Sequence, residues 1–173
     1  MGLLKTILQR RSTRIYTNEN VPQESLESIL QAGLLAPTSM NRKPCSFYII
    51  QDTNLLQALS KTKKLGATML ATCNCAIVVV ADSKKADTWI EDSSIALSYM
   101  SLMATELGIG NCWCQIHLRK SEQEEDAETL VCKLLELPSS SRIVGILALG
   151  FAKEKPKAHK VTEIDWNNVH YRK

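Results

Sequence analysis

Apolar positions recur along this chain with two different spacings. In GLLKTILQRR, Leu3, Leu4, Ile7 and Leu8 share one helical face, and Arg10 and Arg11 put cations at the C-terminal end, where the helix dipole favours them. VPQESLESILQAGLLAP repeats the pattern at Leu26, Ile29, Leu30, Gly33 and Leu34. Pro22 suits its first turn and Pro37 ends it, because Ala36 before a proline is pushed out of helix. CSFYIIQD (45–52) reads as a strand, followed by a helix over about 54–62 and a short one over 66–72. CAIVVVAD (75–82) is apolar at nearly every position and predicts a strand buried on both faces. From Thr88 to Leu107 runs a helix apolar on nearly every side, so burial all round is expected, with Gly108 as its stop.

The second half continues the alternation. NCWCQIHL (111–118) is a strand. SEQEEDAETLVCKLLEL (121–137) is an amphipathic helix, with Ser121 as cap, acids in the first turn, and Leu130, Leu134 and Leu137 facing inward. RIVGILALG (142–150) is the last core strand. The tail keeps Ile164, Trp166 and Val169, a spacing that needs a surface to pack on, with a partner subunit as candidate. The order predicts a central sheet covered by helices. No glycine-rich turn leads from a strand into a helix, and GIG (108–110) stands in the opposite order, so neither a P-loop nor a dinucleotide fingerprint is present.

Length and charge narrow the classes. The 173 residues fit one domain, 1–173, and 45% hydrophobic with 23% charged residues is a globular composition. A net charge of +3 leaves the basic cluster local and argues against a general nucleic-acid binder. No apolar run approaches the roughly 20 residues of a membrane span, and none forms a secretory signal. MGLLKT matches the short N-myristoylation pattern, which also arises by chance. Six cysteines (45, 73, 75, 112, 114, 132) without a signal imply reduced thiols in the cytoplasm. CNC and CWC place one residue between paired thiols where structural zinc sites favour two to four, so buried small hydrophobes are the simpler expectation and no metal is expected.

Two stretches carry candidate chemistry. Arg10, Arg11, Ser12 and Arg14 combine guanidinium forks with a hydroxyl, which suits a phosphate monoester; the alternative is a solvated basic helix end. LAPTSMNRKPCSF (35–47) offers Thr38, Ser39 and Asn41, uncharged groups that suit the edge of a heteroaromatic ring or an ordinary polar loop. No acid–base–nucleophile set stands out. Ser98 and Ser101 are expected to be packed, and His117, His159 and His170 are far apart in sequence. Anion and polar-loop signals without a proton-transfer set are what a cofactor-driven enzyme shows.

At these residues the chain resembles the nitroreductase-like FMN-dependent oxidoreductases. RRSTRIYTNENVP, LAPTSMNRKPCSFYII, SSIALSYMSLMATELGIGNCW and ILALGFAKEKP match that family's segments in order, from residue 10 to about 160. The resemblance implies an α+β fold: a mixed, mostly antiparallel central sheet flanked by helices, in an intertwined homodimer with FMN at the interface and the tail (about 152–173) on the partner. It implies that Arg10, Arg11, Ser12 and Arg14 hold the flavin phosphate and ring edge from one subunit, while Pro37, Thr38, Ser39 and Asn41 reach the same flavin from the other. It places the backbone of Ile109, Gly110 and Asn111 near the ring and puts a basic residue after Gly150 at the phosphate, with Lys153, Lys155 and Lys157 the nearer candidates and His159 and Lys160 more distant ones. No catalytic side chain is expected. NAD(P)H would give hydride to flavin N5 and be replaced by a nitroaromatic or quinone acceptor; flavin storage, electron transfer, flavin fragmentation and plain anion binding are the alternatives. The family's Gln-Pro-Trp is Lys43-Pro44-Cys45 here, which puts a cation where an amide is expected and would raise the flavin potential. The chain is too short for the helical insertion of larger members, so an open or differently capped substrate site is expected.

Overall fold

The computed structural model describes residues 2–172; Met1, the first residue of the acylation pattern, and Lys173 lie outside the described residues. Five α-helices, α1 (Leu3–Gln9), α2 (Gln23–Leu34), α3 (Thr53–Ser60), α4 (Trp89–Glu106) and α5 (Ala127–Leu134), surround four strands, β1 (Cys45–Ile50), β2 (Cys75–Asp82), β3 (Gly110–Gln115) and β4 (Ser141–Gly150). The sheet order is β1-β2-β4-β3 and all three ladders are antiparallel. The expected short helix at 66–72 is a 3-10 turn over Thr68–Ala71.

β2 is buried along its length, as its unbroken apolar run requires. Ala76, Val78 and Val80 face a layer formed by α3, the 68–71 turn and α5, while Cys75, Ile77, Val79 and Ala81 face α2 and α4. Each such fully buried valine or isoleucine contributes roughly 1.5–3 kcal/mol. Pairing shifts between Val78↔Ile146 and Val80↔Ile143, so β4 carries an extra residue there. Gly145 sits in this bulge, where a Cβ would lie 2.7 Å from the Trp113 indole nitrogen.

Three helical expectations change. The apolar face of α1 points outward: Leu3, Leu4 and Ile7 are exposed, and the residue α1 buries is Thr6, whose hydroxyl bonds the Glu106 carboxylate. α4 is covered on two sides, by the sheet and α2, and leaves Ile90 and Tyr99 exposed, with Ser98 beside them rather than packed. α5 begins six residues later than Ser121, because Asp126 caps it by accepting the Thr129 N–H at 2.8 Å. Starting there turns Ala127, Glu128 and Val131 inward and leaves Leu134 exposed. Ser121 instead closes the preceding turn by accepting the Gln123 and Glu125 amides.

The inward turn of α5 assembles a buried ionic cluster. Glu128 accepts from Arg142 Nε at 2.7 Å and Nη2 at 3.1 Å, from the Ile143 amide at 2.7 Å, and lies 3.2 Å from His117 Nδ1. Trp89 lies under the Arg142 guanidinium at 4.5 Å and meets the His117 ring edge-on at 5.1 Å. Thus His117, which the sequence suggests merely borders a strand end, ties β3 to α5 and, through Trp89, to α4.

Candidate functional site

The residues Arg10–Thr17 form the outer rim of the sheet. The α1 helix ends when Arg10 becomes extended, and the chain then runs along the free edge of β3. A parallel bridge joins Ser12 to Asn111, with the Thr13 amide donating to the Asn111 carbonyl at 2.9 Å. Beyond it, Tyr16 bridges Ala152, the Thr17 amide bonds the Phe151 carbonyl at 2.8 Å, and the Lys153 amide bonds the Ile15 carbonyl at 3.1 Å. The buried Tyr16 hydroxyl donates to the Thr13 carbonyl at 2.7 Å and pins the rim from beneath.

An extended chain alternates its side chains between two sides. Ser12, Arg14 and Arg10 act on the buried Cys112 thiol: burial pushes that thiol up, a hydrogen bond with Ser12 pulls it down, and so do the charges of Arg14, Arg10 and Lys63. Lys63, whose Nζ donates to the Gln115 carbonyl at 3.0 Å, therefore joins the arginines. No local pattern in TKKLG marks Lys63; only the folding of that loop against β3 reveals it. Arg11 and Thr13 instead line a cavity of about 530 Å³ with Ile109, Gly110, Asn111, Lys155 and the C-terminal end of α4. Arg11 Nη1 also donates to the Lys157 carbonyl at 2.6 Å, clasping the start of the tail.

Where β3 begins, few side chains are free to face this cavity. The Asn111 side chain is consumed internally, accepting from Ser101 Oγ at 2.6 Å and donating to Thr105 Oγ1 at 3.0 Å, while its carbonyl accepts the Thr13 amide. Gly110 has no room for a side chain, since a Cβ would lie 2.9 Å from both the Gly150 carbonyl and Thr13 Oγ1. At Gly150 a Cβ would lie 2.8 Å from Tyr16 Cδ1 and 3.1 Å from Cγ, atoms of a rigid buried ring. Gly150→Ala is expected to displace Tyr16 and cost about 1–3 kcal/mol. Urea unfolding measures the loss, and proteolysis near Arg14 should quicken because the rim loses its anchor.

The loop 37–43 lies elsewhere on the chain. Thr38 and Lys43 line a separate cavity of about 50 Å³ with Gly33, Phe47 and Asp92. One chain therefore does not bring Pro37, Thr38, Ser39, Asn41 and Lys43 to the cavity that holds Arg11, Gly110 and Lys155. The loop is firmly built: buried Asp92 accepts the Ser39 amide at 3.0 Å and the Thr88 hydroxyl at 3.2 Å, and Thr38 Oγ1 accepts the Lys43 amide at 3.1 Å. Met40, Asn41 and Lys43 have φ of 51°, 55° and 48°. Three such non-glycine residues within four positions, interrupted only by Arg42 at φ −72°, store roughly 1–3 kcal/mol each, a feature typical of ligand-contacting loops.

The cysteine pairs behave as small hydrophobes. Cys73 faces the layer of α3 and α5, and Cys75 faces α2 and α4. Burial pushes the thiols of Cys73 and Cys114 up to about 11 and that of Cys75 to about 12. Among the described residues no group of three His, Cys, Asp or Glu side chains could hold a metal ion, and no helix is long and apolar enough to cross a membrane.

Known proteins share this architecture and sequence. The model of the Nitroreductase family matches residues 7–65 and 56–151. An FMN-dependent nitroreductase from Clostridium difficile R20291 is 36% identical, with 98% of this chain and 99% of that one covered and a TM-score of 0.95. A protein of Archaeoglobus fulgidus, provisionally named an NADH dehydrogenase/NAD(P)H nitroreductase, is 33% identical over 156 residues, 88% of this chain and 86% of its own. An FMN reductase [NAD(P)H] of Bacillus subtilis is 26% identical, with 90% and 69% covered. The α+β fold, the antiparallel sheet and these relatives agree, and the chain belongs to the nitroreductase family.

Proposed function

We propose that this protein is a cytoplasmic, homodimeric FMN-dependent oxidoreductase that uses NAD(P)H to reduce a small acceptor such as a nitroaromatic or a quinone. The observation that carries the reading is the cluster of Arg10, Ser12, Arg14 and Lys63 around Cys112 at the β3 edge, with the cavity lined by Arg11 and Thr13 on the other side of the same rim. Charged donors and a hydroxyl suit a phosphate dianion, and peptide groups suit the hydrogen-bonding edge of a planar ring. When bound, FMN supplies hydride acceptance and donation at its N5. The side chains hold and orient: Arg10, Ser12 and Arg14 would take the phosphate and ring edge, with Arg11 steadying the rim and Lys153 or Lys155 adding charge. The main chain of Ile109, Gly110 and Asn111 would face the ring. No side chain is required to move a proton, because the flavin would carry the chemistry.

Uncovered apolar surface supports the homodimer. From Lys153 to Arg172 every residue is exposed, including Trp166 at 66% and Tyr171 at 84%. Leu3, Leu4 and Ile7 of α1 and Ile90 and Tyr99 of α4 are uncovered as well. In the dimer the tail would pack on the partner, and the 37–43 loop would reach the partner's flavin with Thr38, Ser39 and Asn41, Lys43 adding its cation. Trp166→Ala is expected to weaken dimerisation by about 2 kcal/mol, roughly thirtyfold, as for an aromatic anchor; sedimentation at graded concentrations measures the shift.

Absorbance of the purified protein tests the flavin, and NAD(P)H oxidation with a nitroaromatic or quinone tests the activity. Flavin bands with no turnover would move the reading to flavin storage or electron transfer. A colourless protein that takes up no FMN would leave an anion-binding domain.

A further inference from the structure

The flavin site leaves a second group of cations unused. The loop 61–66 and the turn 118–121 lie side by side, with the Lys64 amide donating to the Lys120 carbonyl at 2.9 Å. The turn is fixed from both ends, the Arg119 amide bonding the Ile116 carbonyl at 3.0 Å and the Arg119 carbonyl accepting the Ala127 amide at 2.9 Å. Lys61, Lys64, Arg119 and Lys120 are exposed there. Lys120 is shared with Glu124 at 3.4 Å, and acids Glu122 and Glu125 follow, so Lys64 and Arg119 dominate the patch. Leu65 and Leu118 stand beside them, 79% and 75% exposed. Leu118 has φ 58°, a conformation that bulky side chains avoid.

Lys63 connects this patch to the cradle. Its ammonium sits on the Gln115 carbonyl and its charge acts on Cys112 together with Arg14 and Arg10. Asn111 and Gln115 lie four residues apart on the free edge of β3, roughly 13 Å at about 3.3 Å per residue. A cationic strip therefore leads away from the proposed flavin, over a span that an extended dinucleotide covers.

We infer that Lys64 and Arg119 bind the adenosine 2′-phosphate of the reductant, so that this protein takes NADPH in preference to NADH. The position of hydride transfer rests on the flavin reading; the phosphate patch itself does not. A phosphate monoester dianion suits two exposed cations on neighbouring loops, Arg119 keeping Nη1 on the Leu118 carbonyl at 3.1 Å, and the exposed Leu65 and Leu118 offer apolar surface to the adenine. NADH offers the patch no such dianion.

The test compares adenosine 2′,5′-bisphosphate with 5′-AMP by calorimetry on the protein as purified. The bisphosphate is expected to bind at least tenfold tighter, and Lys64→Glu with Arg119→Glu to erase the difference. The neutral pair Lys64→Gln with Arg119→Gln should do the same, which covers misfolding of the charge-reversed protein. In steady state the native NADPH-to-NADH ratio of kcat/KM should exceed ten and fall toward one in either double variant, through KM with kcat held. Equal binding of the two nucleotides, or a preference that both double variants keep, overturns the inference. Flavin absorbance judges the other reading separately. A yellow protein with equal binding defeats only the patch, and a protein that takes no FMN yet prefers the bisphosphate defeats only the flavin site.

Discussion

Glu128→Gln should lower the free energy of unfolding by about 3 kcal/mol, the range in which breaking one partner of a buried ion pair falls. Glutamine keeps one oxygen for the Ile143 amide, but Arg142 loses its bidentate partner and His117 faces a neutral amide. The partial exposure of Arg142 places the loss at the lower end of that range. Acid should expose the same interaction. Burial alone would push the Glu128 carboxyl up, yet the Arg142 hydrogen bonds, the Ile143 amide and His117 together hold it below its ordinary value. A carboxyl depressed by folding contributes stability that is present above its unfolded pKa and lost as pH falls through the folded one. Urea midpoints of the native protein should therefore drop below about pH 4.5, near the unfolded glutamate value. The Glu128→Gln protein should show a shallower drop over the same interval. Parallel pH profiles for the two would mean that this carboxylate is not what acid disrupts.

Arg10→Ala and Arg14→Ala should each weaken FMN retention by about ten- to a hundredfold, the effect of losing a charged hydrogen bond of roughly 1.5–3 kcal/mol. Fluorescence titration of the apoprotein with FMN measures it. The unfolding midpoint of the apoprotein should hold or rise, because Arg10, Arg14 and Lys63 act on one thiol and repel one another when no anion is present. Variants that fold and still bind FMN as tightly as the native chain would return the arginine cluster to a solvated helix end. An apoprotein that unfolds several degrees earlier would assign the arginines to the scaffold.

Much of this arrangement is visible in residue order. The unbroken run 75–82 could only be a doubly buried strand, and Pro22 and Pro37 bracket α2 within a residue or two. Local patterns fail where long-range contacts decide. An apolar stripe at Leu3, Leu4 and Ile7 implies burial without saying against what, and among the described residues nothing covers it. Two caps compete ahead of α5, and Asp126 prevails over Ser121 because the later start turns Glu128 toward Arg142 and His117, contacts of 14 and 11 residues' separation. In the site, RRSTR is legible as an anion motif, but its division into two sides follows from the pairing of Ser12 with Asn111, which no spacing foretells. Lys63 and Thr13 lack any local signature at all.

The two edges of the sheet are unlike. β3 is guarded by the rim from Ser12 to Thr13, whereas β1 ends the sheet on its other side with Tyr48 and Ile49 exposed. A six-residue uncharged edge strand with Tyr48 and Ile49 exposed is a template for adding further strands. In the proposed dimer, a chain separated from its partner would present this edge together with a loose tail. Losses of such a dimer on dilution or warming should then accumulate irreversibly, and shelf life would follow the rate of subunit separation more closely than the depth of the native free-energy well.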